Sequence, residues 1–378
     1  MRRARRLALP ALVVAACWAA AAAHAAAPPP VDARAYLVVD ARTGDVLAAS
    51  NAHERMPIAS ITKLMTVLIA IQHHRLTDVV AVDPRAAAVG QSSIYLRAGE
   101  RLTVRDLLEG ALIQSANDAA DALALSVAPD FPSFARLMNA EAATLGLHDT
   151  HFVRPDGLDA PGEYSSAADV TKLARDVMRI RFVRDTVRRE TATIAGGRTL
   201  HTWDDLLAVL PNLLGVKTGH TDEAGWCQVA AIRGRGVTVY ATILGSPSRS
   251  VRNAGLESLL QWGLAQFRVV PAVRTGRAYA TVALPYGRPR LALVAARPLQ
   301  VVTRVGRPLT ERVTARTSAS LPVRRGAVLG HVEVWDGPHL LGRRDLVAAH
   351  AVARPSLASR LGFYAGRTLH HLAHLFHA

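Results

Sequence analysis

The pattern of apolar and polar positions changes character twice along the chain. Residues Ala35-Tyr36-Leu37-Val38-Val39-Asp40 and Val46-Leu47-Ala48 flank the turn Ala41-Arg42-Thr43-Gly44-Asp45, which reads as a β-hairpin. Residues 61–72 are mostly apolar on every side, as in a buried helix starting at Ser60. Two further helices are predicted over 106–114 and 118–127, interrupted at Ser115-Ala116-Asn117, and another runs from Ala167-Ala168-Asp169 to Met178. Short apolar runs at 213–219, 225–232 and 237–244, separated by Gly-containing turns, predict antiparallel strands. Over 253–267, Leu256, Leu259, Leu260, Gly263, Leu264 and Phe267 share one helical face. A hairpin, a helical block, more strands and a closing helix make an α+β domain over 31–269, its antiparallel sheet assembled from both ends of the segment.

From residue 270 helical spacing disappears. Pro and Gly recur among short apolar runs at 279–284, 291–295, 299–302, 328–335 and 346–349, which predicts a small all-β domain over 270–350 beginning near Val270-Pro271. Residues 354–378 then form an amphipathic helix after Pro355. Leu357, Leu361, Tyr364, Thr368, Leu372, Leu375 and Phe376 fall on one arc, with Leu369 at its edge. Ser359, Arg360, Arg367, His370, His374 and His377 lie opposite, while His371 borders the apolar arc and Phe363 falls among the polar residues. The segment is too polar to span a bilayer and should lie flat at a membrane surface; a helix packed on its own β-domain is the competing reading. At the other end, Arg2, Arg3, Arg5 and Arg6, the apolar residues 7–23 and Ala23-His24-Ala25 read as a cleaved signal peptide over 1–25, outside the fold. Val14-Ala15-Ala16-Cys17 also resembles a lipoprotein box, which would make Cys17 a lipidated N-terminus. Cleavage after Ala25 leaves Cys227 as the one cysteine, expected as a buried inert thiol.

Charge sharpens this division. Residues 26–268 carry 25 basic and 26 acidic side chains, 270–350 carry 13 Arg against 4 acids, and 351–378 carry 3 Arg and no acid. A basic C-terminal third on an exported protein suits an anionic membrane or an acidic wall polymer, not nucleic acid. The 15 histidines show no ligand spacing outside the tail, so neither a metal nor a cofactor is expected.

Among 45 basic residues only three are lysines, Lys63, Lys172 and Lys217. A chain that uses Arg for plain positive charge and keeps Lys at a few positions points to chemistry Arg cannot do, since a desolvated Lys can lose its proton. Ser60 and Lys63 are three residues apart at the start of the buried helix, so their side chains share a face. Among Leu64, Met65, Val67 and Leu68 the ammonium is disfavoured, and Lys63 becomes a general base for the nucleophile Ser60. Ser115 can relay a proton between Lys63 and a leaving amine, and the Asn117 amide can hold a peptide-like backbone, although both residue types also cap helices. Lys217-Thr218-Gly219 ends a predicted strand: Lys217 and Thr218 suit a terminal carboxylate, and Gly219 permits close approach of backbone. The backbone N–H groups of Ser60 and His220 serve as oxyanion donors.

Ser60-Ile61-Thr62-Lys63, Ser115-Ala116-Asn117 and Lys217-Thr218-Gly219 lie close to the S-x-x-K, S-D-N, K-T-G set of serine β-lactamases and penicillin-binding proteins. The chain resembles the D-alanyl-D-alanine carboxypeptidases, the low-molecular-mass penicillin-binding class, over essentially its whole length after residue 25. Pro155-Asp156-Gly157-Leu158-Asp159 and Ala224-Gly225 extend the likeness. The resemblance implies a serine β-lactamase/D,D-peptidase-like fold, a C-terminal β-domain and a membrane-associating terminal helix. It implies removal of the terminal D-Ala from a peptidoglycan stem pentapeptide through a Ser60 acyl-enzyme, inhibition by β-lactams, and a periplasmic site at the inner membrane. By the same similarity Arg252 is a second contact for the substrate carboxylate, a solvated charge being the other reading of that position. Thr202-Trp203-Asp204-Asp205 departs from the Asn-containing stretch expected there, which bears on substrate selectivity. A β-lactamase using Glu163, a D,D-endopeptidase and an idle wall-binding scaffold are the competing functions.

Overall fold

The computed structural model describes residues 11–18 and 26–375 and divides into two compact units, residues 26–266 and residues 267–378 with the N-terminal segment. The first unit holds a five-stranded antiparallel sheet in the order Val46–Ser50, Ala35–Asp40, Val237–Ser246, Gly225–Gly234, Leu213–Thr221. The predicted hairpin therefore joins strands about 200 residues later in the chain, and the sheet is built from both ends. Its two faces are covered by different helices. Arg249–Ala265 packs Gly263 against Val38 and Val239, where any side chain would collide with Val239. Ala167–Val177 lies on the opposite face, with Thr171 Oγ1 bonded to Thr242 Oγ1 at 2.6 Å. Ser248 caps the closing helix by accepting from Val251 N, so it starts before the expected residue 253 and ends at Ala265.

The helical block surrounds Lys63–His73, whose Leu64, Met65, Val67 and Ile69 are buried against Leu107, Leu123, Phe134 and Met138. Each such side chain contributes about 1.5–3 kcal/mol on burial, enough to hold this central helix in place. The helix does not begin at Ser60. A 3-10 turn, Ala59–Thr62, precedes it, entered through Ala59 at φ +50°. The predicted break at residues 115–117 is real: Val104–Glu109 passes into a π-helical turn, Gly110–Gln114, then Ser115 turns left-handed at φ +59° and Asn117–Val127 begins. A π-turn followed by a left-handed residue reverses the chain within a few residues and aims Ser115 out of the helical block.

The second unit carries a sheet ordered Ala11–Trp18, Leu309–Arg316, Val328–Asp336, His339–Ala348, Leu291–Ala295, Ala278–Val282, with Phe267–Val273 paired to Leu299–Arg304 beside it. Val282, Leu293, Val332, Val334 and Leu346 fill its core. Three expectations are corrected. The division falls at Gln266/Phe267, because Phe267–Val273 runs straight through Val270-Pro271 and absorbs the proline at a register shift. Leu309–Arg316 is a strand the pattern concealed, since the acid Glu311 occupies a buried position of its alternation with Val313 and Ala315. Ala11–Trp18, expected outside the fold, pairs along the otherwise free edge of Leu309–Arg316; an apolar run satisfies its backbone there in the uncleaved chain. Arg2 to Arg6 and Ala23-His24-Ala25 lie outside the described residues.

Leu357–Leu375 is helical. Leu357 and Leu361 are 72% and 70% exposed, while Phe363 packs edge-on against Tyr286 and sits over Gly287. Phe363, the misfit on the polar arc, thus touches the β-domain together with Tyr364 and Arg360, which also pack on Tyr286, while Leu357 and Leu361 of the apolar arc face outward. Phe376 and His377 lie outside the described residues. Among the described residues no helix is long and apolar enough to cross a membrane.

Candidate active site

Three backbone features converge on Ser60. The 3-10 turn presents it, the strand Leu213–Thr221 passes in front of it, and the loop through Gly157 supports it from behind. Gly219 lets that strand approach: a Cβ there would stand 2.8 Å from Ile58 O and 3.1 Å from Ser60 N. Gly157, at φ +74°, lies so close to Ala59 that a Cβ would collide with its carbonyl. Ser60, Ser115, Thr218, Gly219, His220 and Arg252 line one cavity of about 200 Å³, together with Ser92, Trp203, Trp226 and Arg249.

Lys63 is completely buried, and its Nζ donates to Ser60 Oγ at 2.7 Å, Asn117 Oδ1 at 2.7 Å and Asp156 O at 2.5 Å. Burial pushes its pKa down to about 8, against the opposing charges of Asp156, Asp121, Glu163 and Asp118. The contact with Ser60 and the lowered pKa together suit a base that takes the nucleophile's proton.

Lys217 is buried across the cleft, donating to Ser115 Oγ and Thr218 O, both at 2.8 Å. Its pKa falls well below the ordinary lysine range through burial and the nearby Lys63 charge. The expected standing positive charge is therefore held only weakly before an anion arrives. Ser115, expected to relay a proton from Lys63, accepts a hydrogen bond from Lys217. The Asn117 amide, expected to face substrate, is engaged at both ends, on Lys63 and on Gly90 O at 2.9 Å, and so positions the base.

Arg252 is 1% exposed, which rules out the solvated reading. Its Nε and Nη2 donate to Asn253 Oδ1 at 3.0 and 2.6 Å, and its guanidinium lies 5.5 Å from the Trp226 ring centre. Glu163 does not play the β-lactamase part. Oε1 accepts from Thr62 Oγ1 at 2.9 Å and Oε2 from the backbone N–H groups of Val153 and Arg154, so it staples a loop to the Ser60 turn. Burial pushes its pKa up to about 7 despite those bonds. Cys227 is buried with its thiol pKa raised to about 11 by desolvation, as expected of an inert thiol. Among the described residues no group of three or more His, Cys, Asp or Glu is arranged to hold a metal ion.

Several functional groups escaped the sequence. The Asp156 carbonyl and Glu163 act through the chain fold. Asp118 anchors the cleft loop by accepting from Ser93 Oγ and the N–H groups of Ile94 and Leu96. Trp203 and Arg249 line the cleft. The only local signal was the departure at residues 202–205.

A serine in contact with a buried lysine, at the floor of a cleft with a second lysine and an arginine on its far side, defines a serine acyl-transfer enzyme. The sequence profile of the D-alanyl-D-alanine carboxypeptidases matches residues 22–248. D-alanyl-D-alanine carboxypeptidase DacD of Salmonella typhimurium is 32% identical over 88% of this chain and 90% of its own, and DacA of Escherichia coli is 29% identical over 90% and 89%. Among solved structures, penicillin binding protein 5 from Haemophilus influenzae (26% identity, TM-score 0.63) covers 87% of this chain and all of its own. The Streptomyces K15 DD-transpeptidase (31%, TM-score 0.60) covers 64% of this chain and all of its own. The chain belongs to the D-alanyl-D-alanine carboxypeptidase family.

Proposed function

We propose that this protein is a serine D,D-carboxypeptidase that removes the terminal D-Ala from peptidoglycan stem pentapeptides. The observation that carries the reading is the 2.7 Å contact between Ser60 Oγ and the buried Lys63 Nζ, whose pKa lies near 8. Neutral Lys63 accepts the Ser60 proton as Oγ attacks the penultimate carbonyl carbon. The oxyanion meets the N–H groups of Ser60 and His220. The peptide C–N bond breaks, D-Ala leaves with a proton delivered through Ser115, and water hydrolyses the ester, returning Ser60. Arg252, Thr218 and Lys217 receive the terminal carboxylate. A β-lactam traps the same serine. Mass spectrometry after incubation with penicillin should show an adduct on the Ser60 peptide, and a defined pentapeptide should lose one D-Ala. An unmodified Ser60 peptide sinks the mechanism, and cleavage of cross-linked muropeptides in preference to D-Ala release would make the enzyme an endopeptidase.

The leader, the basic β-domain and the exposed Leu357 and Leu361 of the terminal helix support export to the envelope and peripheral attachment to the cytoplasmic membrane. Flotation with anionic liposomes should be lost on truncation after Arg354; equal flotation of both forms removes the anchor.

A further inference from the structure

The run at residues 202–205, which departs from the family resemblance, lies at the cleft rim and has no part in the chemistry above. Trp203 lines the cavity yet is 45% exposed, so its ring is offered at the mouth and not spent on the core. It is also held still. Its indole Nε1 donates to Gln114 O at 2.9 Å, a carbonyl that also accepts from Ser92 Oγ and directly precedes Ser115. The Arg249 guanidinium lies 5.5 Å from the ring centre. Asp205 fixes Arg249 in turn, accepting from its Nε at 2.7 Å and from its Nη2. Asp205 also accepts from Asn253 Nδ2 at 2.8 Å, and Asn253 Oδ1 receives Arg252. A continuous ladder therefore runs from the exposed ring to the arginine that takes the substrate carboxylate. An amide at position 205 could not grip Arg249 through two charge-assisted bonds.

Resting on the carboxypeptidase reading, we infer that Trp203, locked by the Asp205–Arg249 pair, closes the leaving-group end of the cleft and restricts the released residue to a small side chain. A terminal residue whose carboxylate lies against Arg252 and Thr218 shares its cavity with Trp203. Trp226 lines the same cavity, its ring tilted against His220 with ring centres 4.1 Å apart. A cavity of about 200 Å³ lined by two such rings suits a methyl group. A larger side chain, including the long one that carries a second stem peptide in a cross-link, meets a wall that Gln114 and Arg249 prevent from swinging away. The substrate class is thus the uncross-linked peptide ending in D-Ala or glycine.

The test compares kcat/KM for release of D-Ala and of D-Phe from two otherwise identical pentapeptides. The wild type should prefer D-Ala by at least about tenfold, the lower end of what a shape-limited apolar pocket delivers. Trp203→Ala should lower that ratio about tenfold while penicillin still acylates Ser60. Trp203→Phe, which keeps a ring, should retain most of the preference, and Asp205→Asn should relax it by a smaller factor. A wild-type ratio near one, or an unchanged ratio in an acylation-competent Trp203→Ala, overturns the inference. If Trp203→Ala does not acylate, an unchanged ratio in Asp205→Asn overturns it equally. Failure of the wild type to release either residue overturns the function itself, a distinct result.

Discussion

Both walls of the cleft bury a lysine, and the two lysines hold their protons differently. Lys63 and Lys217 are 0% and 3% exposed, so desolvation lowers both pKa values and is the largest cause in each. On the helical wall Asp156, Asp121, Glu163 and Asp118 push back, and Lys63 comes to rest near 8. On the strand wall Lys63 and Arg252 act in the same direction as burial, and Asp204 opposes them. The net push on Lys217 is thus downward. Burial makes both ammonium groups labile; neighbouring charge decides which becomes a base near working pH and which waits for an anion.

The sharpest way to break the comparison is to exchange the lysines for a cation that cannot titrate. Lys63→Arg keeps charge but abolishes the neutral form, and should lower the Ser60 acylation rate by about 10²–10⁴-fold, the range for loss of a general base. Lys217→Arg should leave acylation chemistry closer to intact and raise KM instead; equal collapse of kcat in both variants would erase the distinction. The next effect is linkage. If the substrate carboxylate restores charge to Lys217, binding a carboxylate ligand takes up protons and weakens as pH rises. Calorimetry in buffers of different ionisation enthalpy reads this uptake directly, and zero net proton exchange at pH 8 would mean that Lys217 was already charged. For kcat/KM the base must be neutral in the free enzyme, so the acid limb should rise through about pH 8, the value to which Lys63 is lowered.

Those functional differences were only half legible in the sequence. The pairing of Ser60 with Lys63 follows from an i, i+3 spacing in an apolar helix, and the strand of Lys217 from a short apolar run between turns. Both are local signals. The acids that set Lys63 are not local: Asp156 and Glu163 arrive on a loop about 90–100 residues away whose visible mark is the left-handed Gly157. A solvated helix charge stayed open as the other reading of Arg252 because its burial depends on Trp226 and Asp205 as well as its neighbour Asn253, which only the tertiary fold assembles. Ser115 was legible at a helix break but its bond to Lys217 was not, since a break fixes where a side chain emerges and not what faces it. In the β-domain, Glu311 disguised a strand by standing at a buried position that its partner Arg277 makes tolerable.

The smallest effects belong to the acids around Lys63, and they test whether neighbouring charge really separates the two walls. Burial raises Asp121 to about 8, and one of its oxygens has no hydrogen-bond partner. Asp121 thus titrates in the same range as Lys63, and Asp121→Asn removes the charge that Asp121 gains on that limb, so the limb should move modestly below pH 8; an unmoved limb would mean that Asp121 stays protonated there. Glu163→Gln should move it the same way by less, and it adds a stability signature with a fixed sign. The Glu163 carboxyl titrates near 7 when folded and near the ordinary 4.5 when unfolded. Between those values the folded state binds more protons, so wild-type stability falls as pH rises from 4.5 to 7 and then levels. Glutamine carries no such penalty. The variant's Tm relative to wild type should therefore increase between pH 5 and pH 8, by about 2–4 °C for each 1 kcal/mol relieved in a domain of this size. A constant difference across that range would mean that Glu163 stays ionised throughout, its three hydrogen bonds outweighing its burial, and that its charge acts on Lys63 at every pH.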